Sequence, residues 1–135
     1  MEPAAREAFL KEANIVVLAT CSRDARPYAA PFWYLYEDGL FKISVGRHSR
    51  THRNIEHQPA VALVIERRVP PYYSVRIRGT AQVGPPFDQP TRLRLAERYF
   101  GPERARQYIA KVPAVDAVTV RIRPDRLSEY QDPSG

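Results

Sequence analysis

The sequence predicts a mainly β fold: a small antiparallel barrel carrying short helices. Three observations point there. Strand-like runs follow one another closely: IVVLAT (15–20), RPYAAPFWYLY (26–36), LFKISV (40–45), AVALVIE (60–66), YYSVRIRGTAQVG (72–84) and AVTVRIR (117–123). The first connections are too short for the helical crossovers that a parallel sheet requires. Finally, Tyr73, Val75 and Ile77 alternate with Ser74, Arg76 and Arg78, the period-2 signature of a half-buried strand. Closing about six such strands into a barrel removes exposed edges.

The elements are justified in order. PAAREAFLKEA (3–13) carries good helix formers, with Ala5, Phe9 and Leu10 near one face and Pro3 suited to the first turn. Asn14 ends this helix, and the β-branched run 15–20 follows as a strand. CSRDA is a turn. The aromatic run 26–36 reads as one strand, joined to 40–45 through Glu37-Asp38-Gly39, an acidic-glycine hairpin signal. A short helix is expected at about 49–57, closed by Pro59 before the strand 60–66. RRVPP (67–71) is a loop before the strand 72–84. In residues 85–112 the period changes. Leu93, Leu95, Ala96, Tyr99 and Phe100, then Tyr108 and Ile109, predict two helices split at Gly101-Pro102. The last strand, 117–123, is expected to stop at Pro124.

With 135 residues the chain fits a single domain, 1–135: an N-terminal helix 3–13, a barrel core 14–84, a helical insert 85–112, and a last strand and tail 115–135. No apolar run approaches the ~20 residues that span a bilayer. The N-terminus is partly acidic and lacks the pattern of a signal peptide. Cys21 is the one cysteine, so no internal disulfide framework is expected. The expectation is a soluble, intracellular, cytoplasmic protein with no membrane partner. The net charge of +6 rests on 18 arginines and only 3 lysines. It favours anionic partners without choosing among phosphates, acidic small molecules and nucleic acid.

The stretch SVGRHSRTHRNI (44–55) concentrates the chemistry. A metal site is not expected: at ~100° per residue His57 points away from His48 and His52, and no cysteine or HExxH joins them. On a helical wheel Arg47, Arg50, Thr51 and Asn54 share one third of the circumference, with Arg53 at its edge. A helix start offers free N–H groups and a positive dipole end. Ser49 can cap it or bond an anion, and guanidinium groups grip phosphate oxygens in pairs. A phosphate cradle and a solvated basic helix face both fit this spacing. The strand 26–36 is also open to two readings. Ala29, Ala30 and Pro31 would expose backbone to a flat ring walled by Phe32, Trp33 and Tyr34, or the aromatics simply fill a core.

The order of these pieces resembles the split β-barrel of the pyridoxamine 5′-phosphate oxidase-like flavoproteins. That superfamily includes the flavin/deazaflavin oxidoreductases. The resembling residues are Pro27-Tyr28, Asp38-Gly39, Ser49-Arg50, Asn54-Ile55-Glu56-His57, Pro59, and Val75 through Ala81 with Gly79; they span about 13–84. The resemblance implies a six-stranded FMN-binding split barrel and a homodimer with FMN in the groove between subunits. Ser49 and Arg50 would hold the phosphate, with Arg47, Arg53 and Thr51 as further contacts. Ala30, Pro31, Phe32 and Trp33 would line the ring, and Ser74 would reach it from the partner subunit. The implied activity is hydride transfer to a small-molecule substrate. The cofactor does the chemistry and no side chain need act as a catalytic acid or base. Arg76 or Arg78 would favour the reduced, anionic ring.

Departures from the family pattern redirect the substrate. Thr51 stands where the family has lysine after the Ser-Arg pair, Leu35 where the oxidase has a lysine for substrate phosphate, and the oxidase's C-terminal arginine–x–histidine is absent. These argue against pyridoxamine phosphate. The smaller branch of the superfamily includes users of the deazaflavin F420, whose acidic tail suits the surplus arginines. The remaining alternatives are a non-catalytic holder of flavin or another planar ligand, haem included, and, more remotely, a single-stranded nucleic-acid barrel with YYSVRIRG as platform and no RNP-like motif.

Overall fold

The computed structural model describes residues 1–113 and 116–133. The expected last strand and tail include residues 114, 115, 134 and 135, which lie outside the described residues. The elements run α1 (Pro3–Lys11), β1 (Val16–Cys21), β2 (Pro27–Phe32), β3 (Leu35–Glu37), β4 (Leu40–Gly46), α2 (Arg50–His57), β5 (Ala60–Arg67), β6 (Tyr73–Gly84), α3 (Gln89–Phe100), α4 (Pro102–Lys111) and β7 (Ala117–Gln131).

The strands form one antiparallel sheet in the order β2-β1-β5-β6-β7-β4-β3. Its two outermost strands are consecutive in the chain, so the sheet curls until its edges approach at Trp33 and Tyr34. Inward positions of every strand fill the interior. Val16, Leu18, Ile43, Leu63, Ile65, Val75, Ile77, Val120 and Ile122 are all buried. The two-residue loop Asp38-Gly39 has positive φ at both positions (55° and 72°), as a tight hairpin with right-handed strand twist requires.

The strand count is seven because the run 26–36 breaks in two. Its first half pairs with β1 and its second with β4. The break has a side-chain cause. The Tyr34 N–H donates to the Tyr99 hydroxyl on α3 (3.1 Å), which in turn donates to the Asn14 carbonyl (2.7 Å). Meanwhile Trp33 stacks on the Tyr99 ring, with centroids 4.6 Å apart and planes 6° apart. Nor does Pro124 end the last strand. β7 continues to Gln131, and Arg78 pairs with Arg126 while Gly79 pairs with Pro124, leaving Asp125 as a bulge. Proline fits there because a bulge tolerates a missing donor.

Helix α1 buries Phe9 and Leu10 but leaves Ala5 exposed, so its contact face is narrower than the expected one. Helices α3 and α4 meet at Gly101, whose φ of 82° allows the reversal. Arg98 anchors α3 to the end of α1, donating to the carbonyls of Lys11 (3.1 Å) and Glu12 (2.7 Å). No helix among the described residues is long and apolar enough to cross a membrane.

Candidate functional site

Strand β4 ends at Gly46, and four residues later, at Arg50, the chain enters α2. The turn between is tightly held. The Ser49 N–H donates to the Gly46 carbonyl (3.1 Å), and His48 takes a left-handed φ of 64°. The His48 N–H donates to His52 Nδ1 (2.9 Å), and His52 Nε2 lies 3.0 Å from the Glu56 carboxylate. Together these contacts fix the tautomer: Nδ1 accepts and Nε2 carries the proton. Ser49 is the N-cap, its Oγ accepting from the His52 N–H (3.3 Å).

Helix α2 docks through Thr51, His52, Asn54 and Ile55, all buried, with Asn54 Nδ2 donating to the Thr20 hydroxyl on β1 (3.0 Å). Arg50 and Arg53 face outward. The expected face therefore divides. Arg50 and Arg53 share the open side, whereas Thr51, 3 % exposed, has its side chain in the packed interface. Arg47 precedes the helix and never takes a place on its wheel. It donates from Nε to the Asp116 carboxylate (2.8 Å) and from Nη2 to the Ala117 carbonyl (3.4 Å).

Arg50 and Arg53 have no ion-pair partner among the described residues. The amides of Arg50 and Thr51 open the helix, where no intrahelical acceptor exists. The Asp24 carboxyl in the β1–β2 turn is held below its usual value. The Ser22 hydroxyl contributes most and the Arg50 charge contributes in smaller part, so the guanidinium stands near that turn. His57 is likewise taken up locally: Arg23 Nη2 lies 2.9 Å from its Nδ1. Among the described residues no group of three His, Cys, Asp or Glu side chains is placed to hold a metal.

The second half of the expected site is β2. Pro31 lies on this edge strand, exposed, with Ala30, Phe32 and Trp33 half-buried. Register places Ala29 and Pro31 on the outer face beside Ala19 and Val17, which continue to Ala62 and Val64 on β5. This outer face is apolar and built from small side chains. Arg76 and Arg78 border it on β6, opposite Val64 and Ala62. Tyr34 is fully buried, and its hydroxyl donates to the Leu10 carbonyl (2.8 Å); burial pushes its pKa up to about 12.

Ser74 is not brought to the same place. It pairs with Glu66 near the far end of β5, whereas α2 leads into Ala60 at the near end, roughly 20 Å away at strand rise. Around Ser74 an open cleft of about 400 Å³ is lined by Arg67, Arg68, Arg76, Tyr72 and Tyr130.

The sequence reading missed a cavity of about 230 Å³ between the α3–α4 hairpin and the outer face of β4 and β7. Trp33, Phe87, Leu95, Tyr108 and Ile109 form its apolar walls, and Ser44 and Arg92 contribute polar groups. One signal was available: Leu95, Tyr108 and Ile109 keep a helical apolar period that must face something. Ser44 and Ala117 place the cavity where β4 ends at Gly46 and β7 begins, beside the start of α2.

Comparison with known proteins agrees with this architecture. The family model described as pyridoxamine 5′-phosphate oxidase matches residues 2–129. A pyridoxine/pyridoxamine 5′-phosphate oxidase of Anaplasma phagocytophilum is 35 % identical over 82 residues, 60 % of this chain; the aligned part spans only 39 % of that protein. An F420 reductase structure superposes with a TM-score of 0.74 at 27 % identity, covering 90 % of this chain and 94 % of its own. An FAD-binding protein of Mesorhizobium loti shares the fold with a TM-score of 0.67 at 18 % identity, covering 97 % and 93 %. With a match along nearly its whole length and the split-barrel topology in place, the chain belongs to the pyridoxamine 5′-phosphate oxidase family.

Proposed function

We propose that this chain is a flavin-type oxidoreductase, binding FMN at a homodimer interface and transferring hydride to a small molecule. One observation carries the reading: a capped helix start whose first two amides and whose Arg50 side chain have no partner among the described residues, packed on β1, beside which runs an edge strand whose outer face is small and apolar. The residues fit the cofactor's anionic end. Backbone N–H groups of Arg50 and Thr51, the dipole of α2 and the Arg50 guanidinium would hold a phosphate, with Arg53 as a second cation. Thr51 contributes its amide rather than its side chain. Arg47 is a reserve contact, already engaged by Asp116.

The ring would lie along Ala30, Pro31, Phe32 and Trp33. A bound flavin or deazaflavin supplies the hydride chemistry, while the protein orients it and tunes its charge. A second copy is needed because Ser74 stands far from Ser49 in one chain. The small apolar face of β2, β1 and β5 supplies a surface on which that copy can pack. Pyridoxamine phosphate is not the substrate proposed, since Leu35 is apolar and buried and offers no cation.

The deazaflavin F420 is the second reading. The superposed F420 reductase and the surplus exposed arginines favour it. Titration of the purified protein with FMN, F420 and riboflavin, followed by absorbance and flavin fluorescence, tests both. The expected result is saturable binding of FMN or F420 and at least tenfold weaker binding of riboflavin, which lacks the phosphate. Failure of both anionic cofactors to bind would overturn the reading. Cofactor bound but never reduced by NAD(P)H, or bound F420 inert toward candidate substrates, would instead identify a flavin carrier of the same fold.

A further inference from the structure

We propose that the outer face of β6 and β7 binds single-stranded nucleic acid, with Arg78, Arg121, Arg123 and Arg126 along the phosphates and Tyr72 and Tyr130 against the bases. The surface is separate from the start of α2, and the proposal does not depend on the flavin reading.

The outer face of the sheet divides by chemistry. Across β2, β1 and β5 it is apolar, built from Pro31, Val17, Ala19, Ala62 and Val64. Across β6 and β7 it is cationic. Register sets Arg76 beside Ser128, Arg78 beside Arg126, Thr80 beside Arg123 and Gln82 beside Arg121, and all eight side chains are exposed. From Arg121 to Arg126 the row runs roughly 16 Å at strand rise.

A solvated strand pair needs polar side chains, but charges of both signs serve that purpose. Like charges directly opposite one another destabilise a sheet, and Arg78 and Arg126 are such a pair. Asp125 is the one carboxylate on this face among the described residues. It accepts from the Thr80 hydroxyl (2.6 Å) and lies 3.6 Å from Arg123. Glu66, at the border on β5, is held by Arg68 (3.0 Å). Arg76, Arg78, Arg121 and Arg126 have no ion-pair partner among the described residues. The row therefore costs stability by itself and is relieved when an anion covers it.

The chemistry of the face selects the occupant. The same face of a second copy would be repelled. A peptide has no apolar socket here in which to seat an anchor. A phosphodiester backbone needs none, because cations alone hold it and guanidinium groups grip its oxygens in pairs. The aromatic end of the row favours unpaired bases. Tyr130 pairs with Ser74 beyond Arg76, and Tyr130 and Tyr72, each 49 % exposed, line one open cleft. A cationic track leading to open aromatic rings is the combination that holds single strands.

The test is fluorescence anisotropy of a labelled oligothymidylate of about twelve nucleotides, titrated with the full-length protein without added cofactor at several salt concentrations. Saturable binding is expected, with log affinity falling on log salt at a slope of about −3, as four neutralised phosphates of a single strand require. The double variant Arg121→Gln, Arg126→Gln is expected to bind at least tenfold more weakly, with about half that slope. Its FMN affinity should match wild type. Tyr130→Ser is expected to weaken binding several-fold and leave the slope unchanged. A second readout needs no ligand. Arg126→Gln removes a repulsion, so its thermal midpoint should rise at low salt, and the gain should vanish at high salt. The proposal is overturned if no saturable, salt-dependent signal appears, or if the double variant binds as wild type does. It is equally overturned if polyglutamate or a duplex of the same length binds as tightly as the single strand, or if the Arg126→Gln midpoint falls. Failure of the oligonucleotide to bind leaves the cofactor reading intact, and failure of the cofactor titration leaves this surface standing.

Discussion

Gly79 shows what a single residue position must satisfy in this barrel. A Cβ placed there would lie 2.7 Å from the Arg123 carbonyl oxygen and 2.7 Å from Ile122 Cγ2. The crowding comes from the bulge opposite, where Asp125 leaves the ladder and bonds the Thr80 hydroxyl (2.6 Å). Gly79→Ala should therefore destabilise the fold by about 1–3 kcal/mol through overpacking against backbone that cannot yield. Thermal unfolding checks this, and an unchanged midpoint would contradict it. Both partners of this bulge were visible in the sequence, yet Pro124 reads there as a strand stop. The glycine that makes room for it lies 45 positions earlier, and one-dimensional patterns do not join such pairs. Arg47 illustrates the same limit, because its partner Asp116 is known only from the folded chain.

Elements with strong local signals were legible. The alternation of β6, the Asp38-Gly39 hairpin and the division of α3 from α4 at Gly101 each depend on neighbours within a few residues. The break between β2 and β3 was not legible, since it depends on Tyr99 reaching from α3 to the Tyr34 amide. Helix α2 was located to within a residue but its faces were not: the inward pull on Asn54 comes from Thr20, and the wheel alone cannot show which side meets the barrel. The outer face of β5 carries its own prediction. Val64 is 39 % exposed among Val17, Ala19, Ala62 and Pro31, an apolar surface that a second copy would cover. Val64→Glu adds a charge there without altering the interior. Sedimentation should show wild type as a dimer and the variant shifted toward monomer, with cofactor affinity falling in parallel. A monomeric wild type, or a variant that stays dimeric, would contradict the assignment of this face.

At the scale of the whole molecule, the barrel explains why the two halves of the site sit where they do. Closing the sheet brings the end of β4 and the start of α2 to the same side as the β1–β2 turn, and Arg50 extends there. The same closure leaves Ser74 at the other end of β5, so under the proposed reading one chain supplies only part of the ring site. The sequence carried the order of these segments, the Ser49-Arg50 pair and the proline-bearing strand, all of which are contiguous motifs. It did not carry the cavity beneath α3 and α4, which exists only once the insert folds back over β4 and β7.

The central claim is that the start of α2 holds the anionic end of a flavin-type cofactor. The most direct measurement compares the dissociation constants of FMN and riboflavin for wild type and Arg50→Gln. Loss of one charge-assisted contact of about 1.5–3 kcal/mol predicts at least a tenfold weakening for FMN and no change for riboflavin. Equal FMN affinity in the two proteins, or equal loss for both ligands, would contradict it.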